Sequence, residues 1–403
     1  MHTLKVTLKQ HTPLLHFQHE QEGATLRASE VKPKLDKYVL TKLSPEEKMQ
    51  GTQEGWIKSK NGKVWLDYKM RIEAEGIQEP KNPNEIIGYK NNGVPKLKNS
   101  PMFFANMGKE SKPKYYVMCE KCRLLIRTSS LTLRDKISAQ IGNFFHNNNF
   151  GTRQTKGYGS FTLISSFPKT TIRSPKLYFT VKGSQDKVFE EMEWFHKAIR
   201  GGINDCFGKR LYLKSLMFSY AKYLGQQWEK KTIKVCYYPR ILESQISEHP
   251  DSELLLYKDN HYERNKIYYT FRDCLGLSSL EQWKKPYNKT IKKKNDNIER
   301  LRSPITFKPV FDGQIWKVYI LWEELPREYL GARFKVTSND SGDLTLTVPP
   351  EFTINSYFEY LFRKDSNGNY KVNIPSLFLV KENTNKMNEI VRIFEELRDN
   401  YNK

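Results

Sequence analysis

The sequence predicts an α+β protein made of two ferredoxin-like units, each laid out β-α-β-β-α-β and interrupted by insertions. Two observations lead there. Short runs in which apolar and polar residues alternate at a period of two give way to longer runs with a period near 3.6, the signatures of strand and amphipathic helix. That succession is met twice along 403 residues, a length suited to two domains. The first unit is expected over residues 1–170 and the second over 171–403.

In the first unit, Lys5 to Leu15 sets Val6 and Leu8 against Lys5, Thr7 and Lys9, and reads as a strand closed by Thr12-Pro13. Arg27 to Leu40 follows as a helix. Ser29 suits the N-cap, Val31, Leu35, Tyr38 and Val39 form one apolar stripe, and Pro33 is placed in the first turn. From Ser44 the composition loosens. Val64 to Ala74 alternates again as a second strand, whereas residues 76–113, broken by Pro80, Pro83, Pro95, Pro101 and Pro113, read as a long insertion. A third strand is expected at Tyr115–Thr128. Next comes a helix over about Leu133–His146, with Thr132 at its cap and Asp135 in the capping-box position. Gly159–Phe167 supplies the fourth strand.

The second unit repeats the plan with more interruptions. Leu177–Lys182 is a strand and Asp186–Ile203 a helix with Val188, Met192, Phe195 and Ile199 in register. A helical insertion at Leu211–Trp228 leads into a polar, basic span, with a basic loop at about 281–302. Ile305–Phe311 and Trp316–Trp322 are strands joined by Asp312-Gly313, a hairpin signal. A helix near Ile354–Phe362, a strand near Tyr370–Val380 and a helix over Asn385–Tyr401 close the chain. The last helix carries Met387, Ile390, Val391, Ile393, Phe394 and Leu397 on an apolar face suited to core packing.

Charge narrows the function. Lys and Arg number 67 against 45 Asp and Glu, a formal net charge of +22. Such an excess repels itself in a compact state and attracts polyanions, among which nucleic acid is the usual partner. A Lys- and Asn-rich coding bias is the alternative source of the charge. No apolar run reaches membrane length and the N-terminus has no signal-peptide core, so a soluble, cytoplasmic protein without a membrane partner is expected. Cys119 and Cys122 form a single CxxC inside an apolar strand-like run, while Cys206, Cys236 and Cys274 are scattered downstream. Structural zinc wants a second ligand pair, so neither a metal nor another cofactor is expected.

The strongest local motif is Gly151-Thr-Arg-Gln-Thr-Lys-Gly-Tyr-Gly-Ser160. Gly157 and Gly159 remove Cβ atoms where backbone amides would approach a phosphodiester, Arg153 and Lys156 add cations, and Tyr158 offers a ring for a base to stack on. The loop feeds a strand, unlike a Walker A loop, which opens a helix. On the residues alone, a phosphate cradle and a glycine-rich connection fit equally.

This loop resembles the hallmark of the RAMP superfamily of CRISPR-associated proteins, G-x-R-x-x-K/R-G-Y/F-G-S after the second helix. Two further segments are similar to the family's pattern. One is Thr12-Pro13 followed by Leu26-Arg27-Ala-Ser29-Glu-Val-Lys32; the other is Arg302-Ser303-Pro304-Ile305-Thr-Phe-Lys308 in the second half. The chain looks most like the head-end RAMP subunit of the type III-B (Cmr) effector complex. It departs from the family at Leu14-Leu15-His16-Phe17, where a glycine is usual, at Pro33, and in the insertion at 76–113.

The resemblance implies binding to the 3′ region of a CRISPR guide RNA and capture of single-stranded target RNA in antiviral defence, alongside other RAMP subunits. Arg27, Ser29 and Lys32 would hold guide phosphates at a helix start. Arg153, Lys156 and the amides of Gly157, Tyr158, Gly159 and Ser160 would cradle the adjacent backbone, and Arg302, Ser303 and Lys308 would act similarly in the second unit. The basic run from Trp283 through Lys292, Lys293 and Lys294 reads as a flexible phosphate-binding arm or a solvated loop. No catalytic residue is expected on this reading. The alternative is a metal-independent RAMP endoribonuclease that processes repeat RNA with His16 or His19, which cluster with His11 before the first helix.

Overall fold

The computed structural model describes residues 1–15, 25–78, 87–89, 95–97, 117–164, 177–205, 211–237, 266–277, 279–283, 289–338 and 341–403. It is a mixed α+β protein with several small sheets. The chain divides into two compact units, Met1–Glu193 with Thr306–Leu321, and Trp194–Ile305 with Trp322–Lys403.

The first unit is built around β1 (His2–Gln10), which alternates buried Leu4, Val6 and Leu8 with outward Thr3 and Lys5. Helices α1 (Ala28–Lys42) and α2 (Pro45–Gln53) follow, then the hairpin β2 (Ile57–Lys60) and β3 (Lys63–Leu66), β4 (Lys69–Gln78), and the short pair β5 (Ile87–Tyr89) and β6 (Pro95–Leu97). β7 (Met118–Thr128), α3 (Leu131–Asn147) and β8 (Phe161–Leu163) complete a four-stranded antiparallel sheet of order β4-β7-β1-β8. Val31, Leu35 and Val39 of α1 and Leu133, Ile137, Ile141, Phe144 and Phe145 of α3 pack into one core with Leu124 and Ile126 of β7. Each such side chain contributes about 1.5 to 3 kcal/mol by leaving water.

Local chemistry moved several boundaries. Arg27, in extended conformation, is the residue that precedes α1, and no side chain caps the helix, so Ser29 lies within the first turn rather than at its cap. Pro33 sits inside α1, beyond the first turn, where it lacks the N–H for a helical bond; the buried stripe of Val31, Leu35 and Val39 holds the helix across it. The cap of α3 is Ser130, whose Oγ accepts from the Leu133 N–H, rather than Thr132. The single strand expected over Val64–Ala74 is two strands, broken at Asp67-Tyr68: β3 pairs with β2 across the Asn61-Gly62 turn at φ 50° and 72°, the Asp67 N–H still donates to Trp56 O at 2.9 Å, and β4 then pairs with β7 instead. α2 was not anticipated, although Ser44 and Glu47 make a reciprocal capping box with Pro45 at the first helical position.

β9 (Tyr178–Val181) pairs with β16 (Trp316–Trp322), and β15 (Ile305–Phe311) pairs with β16 on its other side to complete a three-stranded sheet. Three strands that the sequence grouped with the second unit thus form a sheet by themselves. α4 (Gln185–Arg200) carries the chain past the division at Glu193.

The second unit contains β10 (Ile203–Asp205), β11 (Leu211–Leu213), α5 (Leu216–Tyr223) and α6 (Glu229–Tyr237). Its larger sheet has the order β12 (Tyr268–Tyr269), β18 (Ser341–Thr347), β17 (Arg333–Ser338), β14 (Lys289–Lys294), β13 (Leu280–Trp283). The expected loop at 281–302 is corrected here: its first part is a two-stranded ribbon within this sheet. Ile291, Val336, Leu344 and Leu346 face inward and pack with Ile233 of α6. α7 (Ile354–Phe362) lies as expected; β19 (Phe378–Lys381) is shorter than expected because Pro375 starts a tight helical turn before it, and it pairs with β11. α8 (Thr384–Tyr401) buries Ile390, Ile393, Phe394 and Leu397.

Candidate nucleic-acid interface

The glycine-rich loop is bonded into the protein on the side that was expected to face phosphate. Gly151, Gly157 and Gly159 have φ of 77°, 85° and 65°, the left-handed region that favours glycine. The Gly157 N–H donates to Gln154 O at 3.3 Å and the Gly159 N–H to Pro13 O at 2.8 Å. The Ser160 N–H donates to Thr12 Oγ1 at 3.0 Å, while the Thr12 hydroxyl donates to Gly157 O at 2.6 Å. Ser160 Oγ donates to Pro309 O at 2.7 Å. These donors are consumed internally, so the expected amide cradle over Gly157, Gly159 and Ser160 is corrected to a latch that ties the loop to the Thr12-Pro13 turn. Tyr158 is buried and stacks on Phe189 with centroids 4.7 Å apart, so that ring face meets protein rather than a base. Arg153 and Lys156 remain partly exposed. Arg153 has φ of 58°, and burial lowers its guanidinium pKa while Tyr158 opposes the shift.

The loop meets the first turns of α1. Glu30 Oε1 accepts from the Gly151 N–H at 2.6 Å and from Lys34 Nζ at 3.2 Å. Lys34 Nζ also donates to Gln154 Oε1 at 3.0 Å and lies over the Phe150 ring at 4.9 Å. Glu30 and Lys34 had escaped the sequence reading; their i, i+4 spacing was the available signal. Arg27 is half-buried at the helix start and Ser29 is exposed in the first turn. Lys32 points elsewhere: its Nζ donates to Asp36 Oδ2 at 2.8 Å and Leu66 O at 2.9 Å, and lies 4.2 Å from the Tyr68 ring centroid. Its structural bonds tie α1 to β3.

Lys308 is corrected more strongly. It is fully buried, and its Nζ donates to Asn148 O at 2.8 Å and Phe161 O at 2.9 Å; burial holds its pKa well below the usual lysine range. His11 is locked too. Its Nδ1 accepts from the Phe311 N–H at 3.1 Å, and its Nε2 is 2.7 Å from Thr162 Oγ1. Burial first, and then Lys308 and Lys9, lower the His11 pKa to about 3; burial and Lys308 lower His146 to about 4.

Both imidazoles are therefore neutral in the folded state at pH values where an unfolded histidine, near 6.5, takes a proton. Their contribution to stability is complete above about pH 6.5 and is lost as pH falls toward 4. Urea unfolding at pH 7 and pH 5 is expected to show a loss on the order of 1 kcal/mol per pH unit per histidine. The His11→Gln/His146→Gln variant should show a smaller loss between the two pH values. His16 and His19 lie outside the described residues.

In the second unit, Arg302 is exposed and its Nη2 reaches Glu323 Oε2 at 3.0 Å. Ser303 closes a local turn, with Oγ donating to Ile305 O at 3.2 Å and accepting from the Ile305 N–H at 3.3 Å. The lysine triplet is divided by the strand period. Lys292 and Lys294 are exposed, whereas Lys293 is buried with Nζ 2.5 Å from Asp273 Oδ2 and 2.8 Å from Glu281 Oε1. An RNA-facing Lys293 is thereby corrected to a core ion pair. Arg272, also buried, donates to Glu229 at 3.1 Å and to both Glu281 oxygens at 2.6 Å.

Cys119 and Cys122 are buried in β7 with Sγ atoms 3.2 Å apart. Among the described residues, no group of three or more His, Cys, Asp or Glu side chains is placed to hold a metal ion. Among the same residues, no helix is long and apolar enough to cross a membrane.

Comparison with known proteins agrees with the motif pattern. The model of the Cmr1 N-terminal domain matches residues 1–203, and that of the Cmr1 C-terminal domain matches residues 212–389. These matches define a CRISPR-associated RAMP protein of the type III-B class. The chain belongs to the Cmr1 family. Similar solved structures include apo Cmr1 from Pyrococcus furiosus, at 12% identity and a TM-score of 0.38, with 81% of this chain and 90% of that one covered. Another is a chain of the type III-B Cmr-beta complex bound to cognate target RNA and AMPPnP in the presence of single-stranded DNA. It shows 11% identity and a TM-score of 0.37, with 98% of each chain covered. No curated protein matches the sequence.

Proposed function

We propose that this chain is a non-catalytic, RNA-binding subunit of a type III-B CRISPR effector complex. It contacts the 3′ region of the guide RNA and helps to capture target RNA in the cytoplasm beside other RAMP subunits. The observation that carries the proposal is the match to both Cmr1 domains over residues 1–203 and 212–389. The formal charge of +22 gives the family assignment a physical counterpart, since it suits a polyanionic ligand.

Within the first unit, the sheet order β4-β7-β1-β8 and two helices in the succession β-α-β-β-α-β support a ferredoxin-like RAMP domain, with α2 and the β2–β3 hairpin as additions. The RNA-contacting groups of that domain are then Arg27, Ser29, Arg153 and Lys156, around the place where α1 meets the latched loop. The glycines give the loop its shape, and the two basic side chains supply the contact.

Fluorescence anisotropy of a labelled repeat-containing RNA over a salt series tests this assignment. The Arg153→Gln/Lys156→Gln variant is expected to lower the slope of log K against log salt by about 1.4, the value for two phosphates on a single strand. A slope equal to that of the parent would remove both residues from the interface.

A further inference from the structure

We infer that the outward face of the five-stranded sheet in the second unit binds the sugar-phosphate backbone of single-stranded RNA through Lys292, Lys294, Arg333 and Lys335. The inference rests on the RNA-binding reading above and adds a surface to it. β14 and β17 are neighbouring antiparallel strands in which Lys294 stands directly opposite Lys335 and Lys292 opposite Thr337. Arg333 shares the Lys335 face two residues away, and all four cationic residues are exposed.

The two faces of β14 treat the same residue type differently. Inward, Lys293 is matched by Asp273 and Glu281. Outward, Lys294 and Lys335 oppose each other, an arrangement that destabilises an isolated sheet. Among the described residues, Lys294, Arg333 and Lys335 make no ion pair. Cations left unneutralised on a regular surface are explained by an anion that arrives from outside.

The rest of the face favours a phosphate backbone over an acidic protein. Thr290 of β14, Thr337 of β17, and Thr345 and Thr347 of the neighbouring β18 stand at outward positions of the same sheet and bring hydroxyl donors of the kind that hold phosphate oxygens. A protein interface is expected to present a central apolar or aromatic anchor. Here, among the described residues, the apolar side chains at outward positions are Leu280 and Tyr269, on the two edge strands. Four strand spacings separate them, roughly 19 Å.

The test uses the full chain and two probes, a fluorescein-labelled single-stranded RNA and labelled poly-L-glutamate, each titrated over a salt series. For Lys294→Gln/Arg333→Gln/Lys335→Gln, the RNA slope of log K against log salt should fall by about 2, with affinity near 0.1 M salt weakened roughly tenfold or more. Lys294→Arg/Lys335→Arg, which keeps the charge, should bind RNA as the parent does, and thermal melting of both variants should match the parent or exceed it.

Parent-like RNA binding by the triple variant would overturn the inference and leave the RNA-binding reading intact. Loss of poly-L-glutamate binding with unchanged RNA binding would overturn it in favour of an acidic protein partner. A parent chain that binds no RNA at any salt concentration would overturn both readings.

Discussion

Replacing Lys293 by Met is expected to lower folding stability by about 3 to 5 kcal/mol, the effect of breaking a buried ion pair from one side. The side chains of Lys293 and Asp273 are fully buried, at 0% exposure, and 2.5 Å apart. Once the ammonium is gone, Asp273 keeps the Thr270 hydroxyl at 2.6 Å, but its other oxygen already has no hydrogen-bond partner. Glu281 would retain Arg272. Burial opposes its ionisation, yet Arg272 and Lys293 together hold its pKa well below the usual carboxylate range. Glu229 is the reverse case, raised by burial against the pull of Arg272. Chemical denaturation should show the loss, and Lys293→Met/Asp273→Leu should recover a large part of it by removing the stranded charge as well. Equal stability of Lys293→Met and the parent would mean that the ion cluster does not hold the inner face of the sheet.

Gly159→Ala is expected to be nearly as damaging, at about 3 kcal/mol or more. A non-glycine residue in the left-handed region costs on the order of 1 to 3 kcal/mol, and forced overpacking about as much again. At Gly159 φ is 65°, and an added Cβ would lie 2.0 Å from Phe150 O, a backbone atom that cannot rotate away. A backbone bond holds the two residues at this approach, the Phe150 N–H donating to Gly159 O at 3.0 Å. A thermal melt would show the effect directly. Gly62→Ala is the natural comparison, because its φ is similar at 72° but nothing lies within 4 Å of the added atom. If the two substitutions cost the same, backbone strain alone sets the penalty and the contact with Phe150 adds nothing.

These two sites show what periodicity and motif can convey. Alternation located β1, an apolar run located β7, and the 3.6-residue stripes located α1, α3, α4 and α8, because each of those elements buries side chains in a core. The same logic was available for Lys292, Lys293 and Lys294: in a strand the middle residue must face away from its neighbours. The run of lysines concealed it, since composition suggested a solvated arm while Asp273 and Glu281, the groups that neutralise Lys293, lie elsewhere in the chain.

The glycine loop was found by its residues but misjudged in its direction. Three left-handed glycines are needed both for a phosphate cradle and for a tight latch, and the choice depends on Thr12, Pro13 and Pro309, which no local pattern connects to the loop. Tyr158 was misread for a related reason, because its partner Phe189 belongs to a later helix. The meeting of α1 with the loop through Glu30 and Lys34 likewise depends on contacts between residues 121 and 120 positions apart in the chain.

The most direct test of the central proposal is incubation of the purified full chain with 5′-labelled repeat-containing RNA in EDTA, followed by native and denaturing gels. The proposal predicts a salt-sensitive shift on the native gel and RNA of unchanged length on the denaturing gel. Cleavage at one position within the repeat would contradict it and identify the chain as a metal-independent processing nuclease, with His16 and His19 the first residues to replace.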